Sequence, residues 1–186
     1  MLNTEEPMTK KDSLFNIIAD IRNSEFTPVN IDSLTLSDLQ ELVLYLKASH
    51  EFYTQICFPK LHEAIHAMLK KCDRQVSDVM NRFFDEYEKD VRAHFEYEEK
   101  ILFPCATALA KGNPVGKIEH GHASIVTSLK DMKSLVINHI PYSECSEDKI
   151  NVLSYIFRLE EDLGKHVLIE ERLFIPLIRK FKKIDR

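Results

Sequence analysis

The chain predicts an all-α fold, an antiparallel up-down four-helix bundle with a short N-terminal helical extension. Three observations carry this. Apolar residues recur at helical spacing through four long segments. No segment sustains the period-two alternation of a strand. The breaks between segments are short and carry capping residues, as antiparallel neighbours require. Composition agrees: 44% of the 186 residues are apolar, only four are glycine, and Leu, Ile, Glu and Lys abound. That length suits one well-buried domain.

Residues 1–34 read as the extension, with SLFNIIADI (13–21) as a short amphipathic helix and FTPVNID (26–32) as a linker. Residues 35–186 read as the bundle. Its first helix starts where Ser37-Asp38-Leu39-Gln40 offers a capping-box pattern and continues to Leu69, with Pro59 placed to kink it. The second spans Asp73 to Ala110 and ends at KGNP (111–114). Asn113 and Pro114 then supply a cap and a first-turn proline for a third helix ending at His139. IPYSECSED (140–148) reads as a loop, and Ser146, Glu147 and Asp148 suit the start of a fourth helix ending at Lys182.

The net charge is −5 with acid and base interspersed, so no basic field points to nucleic acid or an anionic membrane. No apolar run nears the roughly 18 residues that span a bilayer, and no cationic start precedes an apolar leader, which makes the cytoplasm the expected location. Cys57, Cys72, Cys105 and Cys145 are scattered without a CxxC, the pattern of reduced thiols rather than of a disulfide framework or zinc knuckle.

One phrase occurs twice. HFEYEEKILFP starts at His94, and HVLIEERLFIP starts 72 positions later at His166. Each has a glutamate four residues after the histidine, Glu98 and Glu170. Another histidine stands 44 residues before each phrase, His50 and His122, so the chain reads as two helical hairpins built on one plan. In an antiparallel hairpin, residues equidistant from the turn share a level. The midpoint of His50 and His94 is Cys72, and that of His122 and His166 is Glu144, both at expected breaks.

At about 100° per residue, all four histidines point into apolar stripes. His50 is flanked by Leu46, Tyr53, Cys57, Leu61 and Met68; His94 by Tyr87, Tyr97, Ile101 and Cys105; His122 by Ile125 and Leu129; His166 by Leu159, Leu163, Leu173 and Leu177. Glu98 and Glu170 share the inward face, whereas Glu99 and Glu171 face solvent. His62, His66 and His139 read as solvated, and His120 lies off the His122 face. Glu63-x-x-His66 and Glu119-x-x-His122 match the ExxH element of ferritin-like bundles, but their offset differs from that of the repeat. A single inward histidine is usually a core histidine with a hydrogen-bond partner; four at one level with two in-phase glutamates ask for more. Carboxylates and imidazoles converging in an apolar core are costly without compensation, and a pair of metal ions supplies it. Such donors suit iron or manganese, and zinc also accepts them. Bridging glutamates and an oxo or hydroxo bridge would leave roughly one open position per metal. Asp90 and Asp162, one turn before their histidines, are either ligand-orienting acceptors or surface carboxylates, and the tyrosines are chiefly core.

The order H … HxxxE … H … HxxxE resembles the hemerythrin-like (HHE cation-binding) family, nearest its di-iron branch that includes the iron–sulfur cluster repair proteins. HFEYEEKILFP is similar to that branch's H-x-x-x-E-E-x-x-L-F-P phrase, and the likeness covers residues 37–182. It implies a non-haem di-iron centre on His50, His94, Glu98, His122, His166 and Glu170, meeting dioxygen, nitric oxide or peroxide. Oxygen-carrying hemerythrins add a histidine four residues along the third helix and end with HxxxxD; here Val126 and Glu170 stand instead, which argues against a dedicated oxygen carrier. Repair proteins often carry a cysteine-containing N-terminal module, and residues 1–34 have no cysteine. The function expected is a di-iron protein of the oxidative or nitrosative stress response or of cluster repair. The alternative is a metal- or ligand-dependent sensor and interaction module, and turnover of peroxide or nitric oxide ranks third. The partners expected are a small diatomic ligand or peroxide, with a protein partner such as an iron–sulfur protein or a second copy.

Overall fold

The computed structural model describes residues 10–23, 29–113, 123–140 and 142–184. Its helices are α1 (Lys10–Asn23), α2 (Leu36–Phe52), α3 (Phe58–Leu69), α4 (Arg74–Tyr97), α5 (Phe103–Ala110), α6 (Ala123–His139), α7 (Tyr142–Ile169) and α8 (Ile175–Ile184). Three π-helical turns lie among them, at Tyr53–Cys57, Glu98–Leu102 and Glu170–Phe174. Among the described residues there is no strand, and no helix is long and apolar enough to cross a membrane. The all-α bundle expected from the sequence is therefore the fold found.

Each π turn ends two residues before a proline: Pro59, Pro104 and Pro176. A proline in a helix lacks the N–H for the carbonyl four residues back, and its ring presses on that carbonyl. Those carbonyls belong to Gln55, Lys100 and Arg172, each the central residue of its π turn. The turn widens to relieve the clash instead of breaking the helix. This divides the three long helices expected around 37–69, 73–110 and 146–182. It also moves a face. A π turn spends one extra residue, so its own residues advance by less than 100° each and every position beyond it lags the expected phase. Ile101, expected beside His94, is 48% exposed, and Leu102, Phe103 and Ala106 are buried instead. Tyr97, at the edge of the expected stripe, is exposed too.

The cap of α2 also lies earlier than expected. Asp38 is buried and accepts from both the backbone N–H (2.7 Å) and the hydroxyl (2.5 Å) of Thr35. The pair at this helix start is thus Thr35 with Asp38, both bonds running from Thr35 to the Asp38 carboxylate, not Ser37 with Gln40. At the next break, Asp73 caps α4 by accepting from the Val76 N–H (3.0 Å), so the turn falls where Cys72 was expected. The fourth segment departs from expectation: α7 starts at Tyr142, so most of 140–148 is helix rather than loop. Ser, Glu and Asp are tolerated inside a helix as well as at its start, so those residues alone do not fix where it begins. The expected Asn113-Pro114 cap extends outside the described residues.

The chain divides into two compact units. One comprises 47–102 and 118–164. Its core runs along α3, α4, α6 and α7, with Leu61, Ile65, Phe84, Tyr87, Leu129, Met132, Val152 and Ile156 all buried, in the manner of a four-helix bundle. Lys149 is buried there and donates to the carbonyls of Ile137 (2.9 Å) and Ile140 (2.8 Å), satisfying acceptors at the end of α6. The other unit comprises 1–46, 103–117 and 165–186. In it α1 buries Leu14, Ile18 and Ile21, and Phe103 meets Phe174 edge to face at 5.5 Å. Lys180 donates to the carbonyls of Ile31, Asp32 and Leu34 at 2.8 to 2.9 Å, tying the approach to α2 onto α8.

Burial pushes the Tyr87 phenol well above its ordinary pKa, because the core disfavours the phenolate. The folded chain then keeps a proton that the unfolded chain loses above about pH 10. Stability from this residue is complete below that pH and falls as pH rises further. Tyr87→Phe is expected to stay within about 1 kcal/mol of wild type at pH 8 and to lose less stability on going to pH 10.5, as measured by urea unfolding at both values.

Candidate metal centre

His50 lies near the end of α2, His94 near the end of α4, and Glu98 opens the π turn that follows α4. His50 is 2% exposed, Glu98 is fully buried, and His94 is 15% exposed. The two oxygens of Glu98 face different rings: Oε2 lies 3.2 Å from His50 Nε2, and Oε1 lies 3.1 Å from His94 Nε2. One carboxylate thus joins histidines from two helices. The i,i+4 spacing sets His94 over Glu98, and the hairpin through Cys72 sets His50 beside them.

The ring of His50 is fixed in plane. Phe95 stacks on it at 3.9 Å with an 11° tilt, and Phe95 in turn stacks on Tyr53 at 5.9 Å. Tyr53 is anchored by its hydroxyl, which donates to the Asp162 carbonyl at 3.0 Å. The phenol of Tyr53 is thereby used for structure.

In the other unit, the second phrase repeats the first pair. Glu170 opens its own π turn and is fully buried, with Oε1 3.3 Å from Nε2 of the 2%-exposed His166. Ile169, Leu173 and Phe174 around them are buried. Among the described residues, His50, Glu98, His166 and Glu170, all buried, make up a His/Glu group that could hold a metal ion.

The donors fit a cation. Two ligand atoms on one ion, each about 2.1 Å from it, sit roughly 3 Å apart, and the imidazole–carboxylate spacings above are 3.1, 3.2 and 3.3 Å. Buried carboxylates with imidazole nitrogens form a mixed N/O set that suits iron, manganese or zinc.

His122 and His120 lie outside the described residues. His62 and His66 are exposed, as their phases required, as is His139 at its helix end, and so are Glu63 and Asp90. Glu171 is exposed. Glu99 is 44% exposed, yet its carboxylate meets the Nδ1 of His50 at 2.9 Å. Sequence phase alone had sent it to solvent. The signal that could have found it is the Glu-Glu pair placed just ahead of a proline. Cys57, in the π turn that follows α2, keeps a thiol whose pKa is raised, first by burial and next by the neighbouring Asp162 carboxylate.

The family model of the hemerythrin HHE cation-binding domain matches residues 41–178, well over half of the chain. No curated protein and no solved structure matches it.

Glu98→Gln keeps the shape but removes the charge that a cation would meet. The variant is expected to stay helical by circular dichroism and to retain at most about a tenth of the wild-type metal, since a lost ligand charge costs more than 1.4 kcal/mol. Elemental analysis of protein purified without added metal reads this directly.

Proposed function

Because the chain belongs to the hemerythrin HHE cation-binding domain family, we propose that it carries a non-haem di-iron centre that binds or reacts with dioxygen, nitric oxide or peroxide. We place that activity in the oxidative or nitrosative stress response or in iron–sulfur cluster repair. The metal ligands in this reading are His50, His94, Glu98, His122, His166 and Glu170, with His122 assigned from its spacing in the repeat. The observation that carries it is the buried His/Glu group: donors of this kind, out of water, are costly without a cation.

When bound, iron would supply Lewis acidity, redox capacity and open coordination positions. The chain's own residues do the rest. Glu98 presents one oxygen to each of two histidines and so fixes their spacing. Phe95, backed by Tyr53, covers one face of the His50 ring and fixes its plane. His94, the more exposed histidine, marks the side from which a small solute reaches the donors.

The alternative reading is a sensor or interaction module in which occupancy orders the fold. The packing of α1 favours it, since that helix buries its apolar face in the same unit that holds His166 and Glu170.

Protein purified without added metal is expected to hold about two irons per chain, by analogy with two-metal carboxylate–histidine centres. It should absorb in the near ultraviolet and change spectrum on addition of nitric oxide. Chelation should lower the thermal midpoint, because an ion bound only by the folded state stabilises it. An iron-free chain with no optical response to any of the three ligands rejects the reading. Equal tryptic digestion of apo and loaded protein rejects the sensor alternative.

A further inference from the structure

His50 is held at both ring nitrogens by consecutive residues. Glu98 faces Nε2 at 3.2 Å and Glu99 faces Nδ1 at 2.9 Å. In an ordinary α turn, neighbouring side chains diverge by about 100°. Here both residues lie in the π turn Glu98–Leu102, whose wider circumference lets adjacent carboxylates reach opposite edges of one imidazole. We infer that Glu99 is a positioning residue of the metal centre. It takes the Nδ1–H of His50, fixes the tautomer, and presents Nε2 with its lone pair towards the metal-binding donors. The inference rests on the metal-centre reading above and adds to it a residue that is not itself a ligand.

The surrounding charges explain why Glu99 is committed to His50. It lines a surface hollow of about 300 Å³ together with His50, Glu51, Arg92, Glu96 and Lys100. Arg92 is engaged by the Glu88 carboxylate at 2.6 Å and by the Thr54 carbonyl at 3.0 Å. Lys100 pairs with Glu96, and its hydrogen bond holds the Glu96 carboxyl below the usual carboxylate range. Both cations of the hollow therefore have other carboxylates beside them, and the Glu99 oxygen turns to the ring. Phe95 stacked on His50 leaves that ring a single plane in which to meet it. A carboxylate on the remote nitrogen of a metal-binding imidazole raises the ring's basicity and removes alternative orientations, and its loss typically costs 10- to 100-fold in metal affinity.

The test compares the full-length wild type with Glu99→Ala, Glu99→Gln and Glu51→Ala. The readouts are cobalt(II) affinity by chelator competition, the visible cobalt spectrum, and the thermal midpoint of the metal-free protein. Glu51 lines the same hollow and carries the same charge, so its removal controls for general electrostatics. Glu99→Ala is expected to bind cobalt about 10- to 100-fold more weakly, with an altered spectrum and an unchanged metal-free midpoint. Glu99→Gln, whose amide oxygen still accepts from Nδ1–H, is expected to recover most of the affinity, and Glu51→Ala to match wild type. Equal losses in Glu99→Ala and Glu51→Ala, or no loss in Glu99→Ala while wild type binds, overturn the inference alone. A wild type that takes up neither cobalt nor iron overturns the metal centre and this assignment together.

Discussion

A carboxylate removed from water is among the most expensive things a protein can bury, and the cost falls only when positive charge and hydrogen-bond donors meet it. Glu98 and Glu170 are both fully buried, each within about 3 Å of an imidazole and each walled by apolar residues. No lysine or arginine is needed beside them if a cation is the partner. Their neighbourhood shapes the rest. Long helices deliver the histidines, the repeat sets their spacing, and Phe95 and Tyr53 hold the His50 ring in place. The elements that look like irregularities, the three wide turns, occur where those acids and their neighbours need to be aimed.

Those wide turns have a simple chemical origin. Each proline removes one donor and crowds the carbonyl four residues earlier, and the helix answers by spending an extra residue. The consequence is local and directional. In the first phrase the apolar face passes from Ile101 to Leu102 and Phe103, and the two adjacent acids come to bracket one ring. In the second phrase Leu173 and Phe174 are both buried, so that turn faces apolar surroundings on more than one side. One local deformation thus serves two different settings.

Much of this was legible in the residues. The spacing of the repeat placed the first hairpin turn at Cys72, and α3 and α4 do part there. The helical phase puts His50, Glu98, His166 and Glu170 inside and His62 and His66 outside, which matches their burial. What escaped has a common cause. A fixed 100° step cannot see a π turn, so it sends Ile101 to the core, and it gives no hint that Glu99, exposed as its phase requires, also reaches the His50 ring. Competing local signals account for the remainder: Thr35 with Asp38 outbid Ser37 with Gln40, and α7 began at Tyr142 rather than near Ser146. Each pattern satisfies the same rule, and the winner depends on packing that a linear reading does not contain.

A phrase that writes its own distortion is portable. Within eleven residues, HFEYEEKILFP contains the donor pair, the apolar residues that bury it and the proline that bends the backbone around it. Copying such a cassette onto another stretch of helix transfers geometry along with chemistry. Each copy of the phrase therefore brings its donors, its burial and its wide turn together, with little demand on the surrounding scaffold.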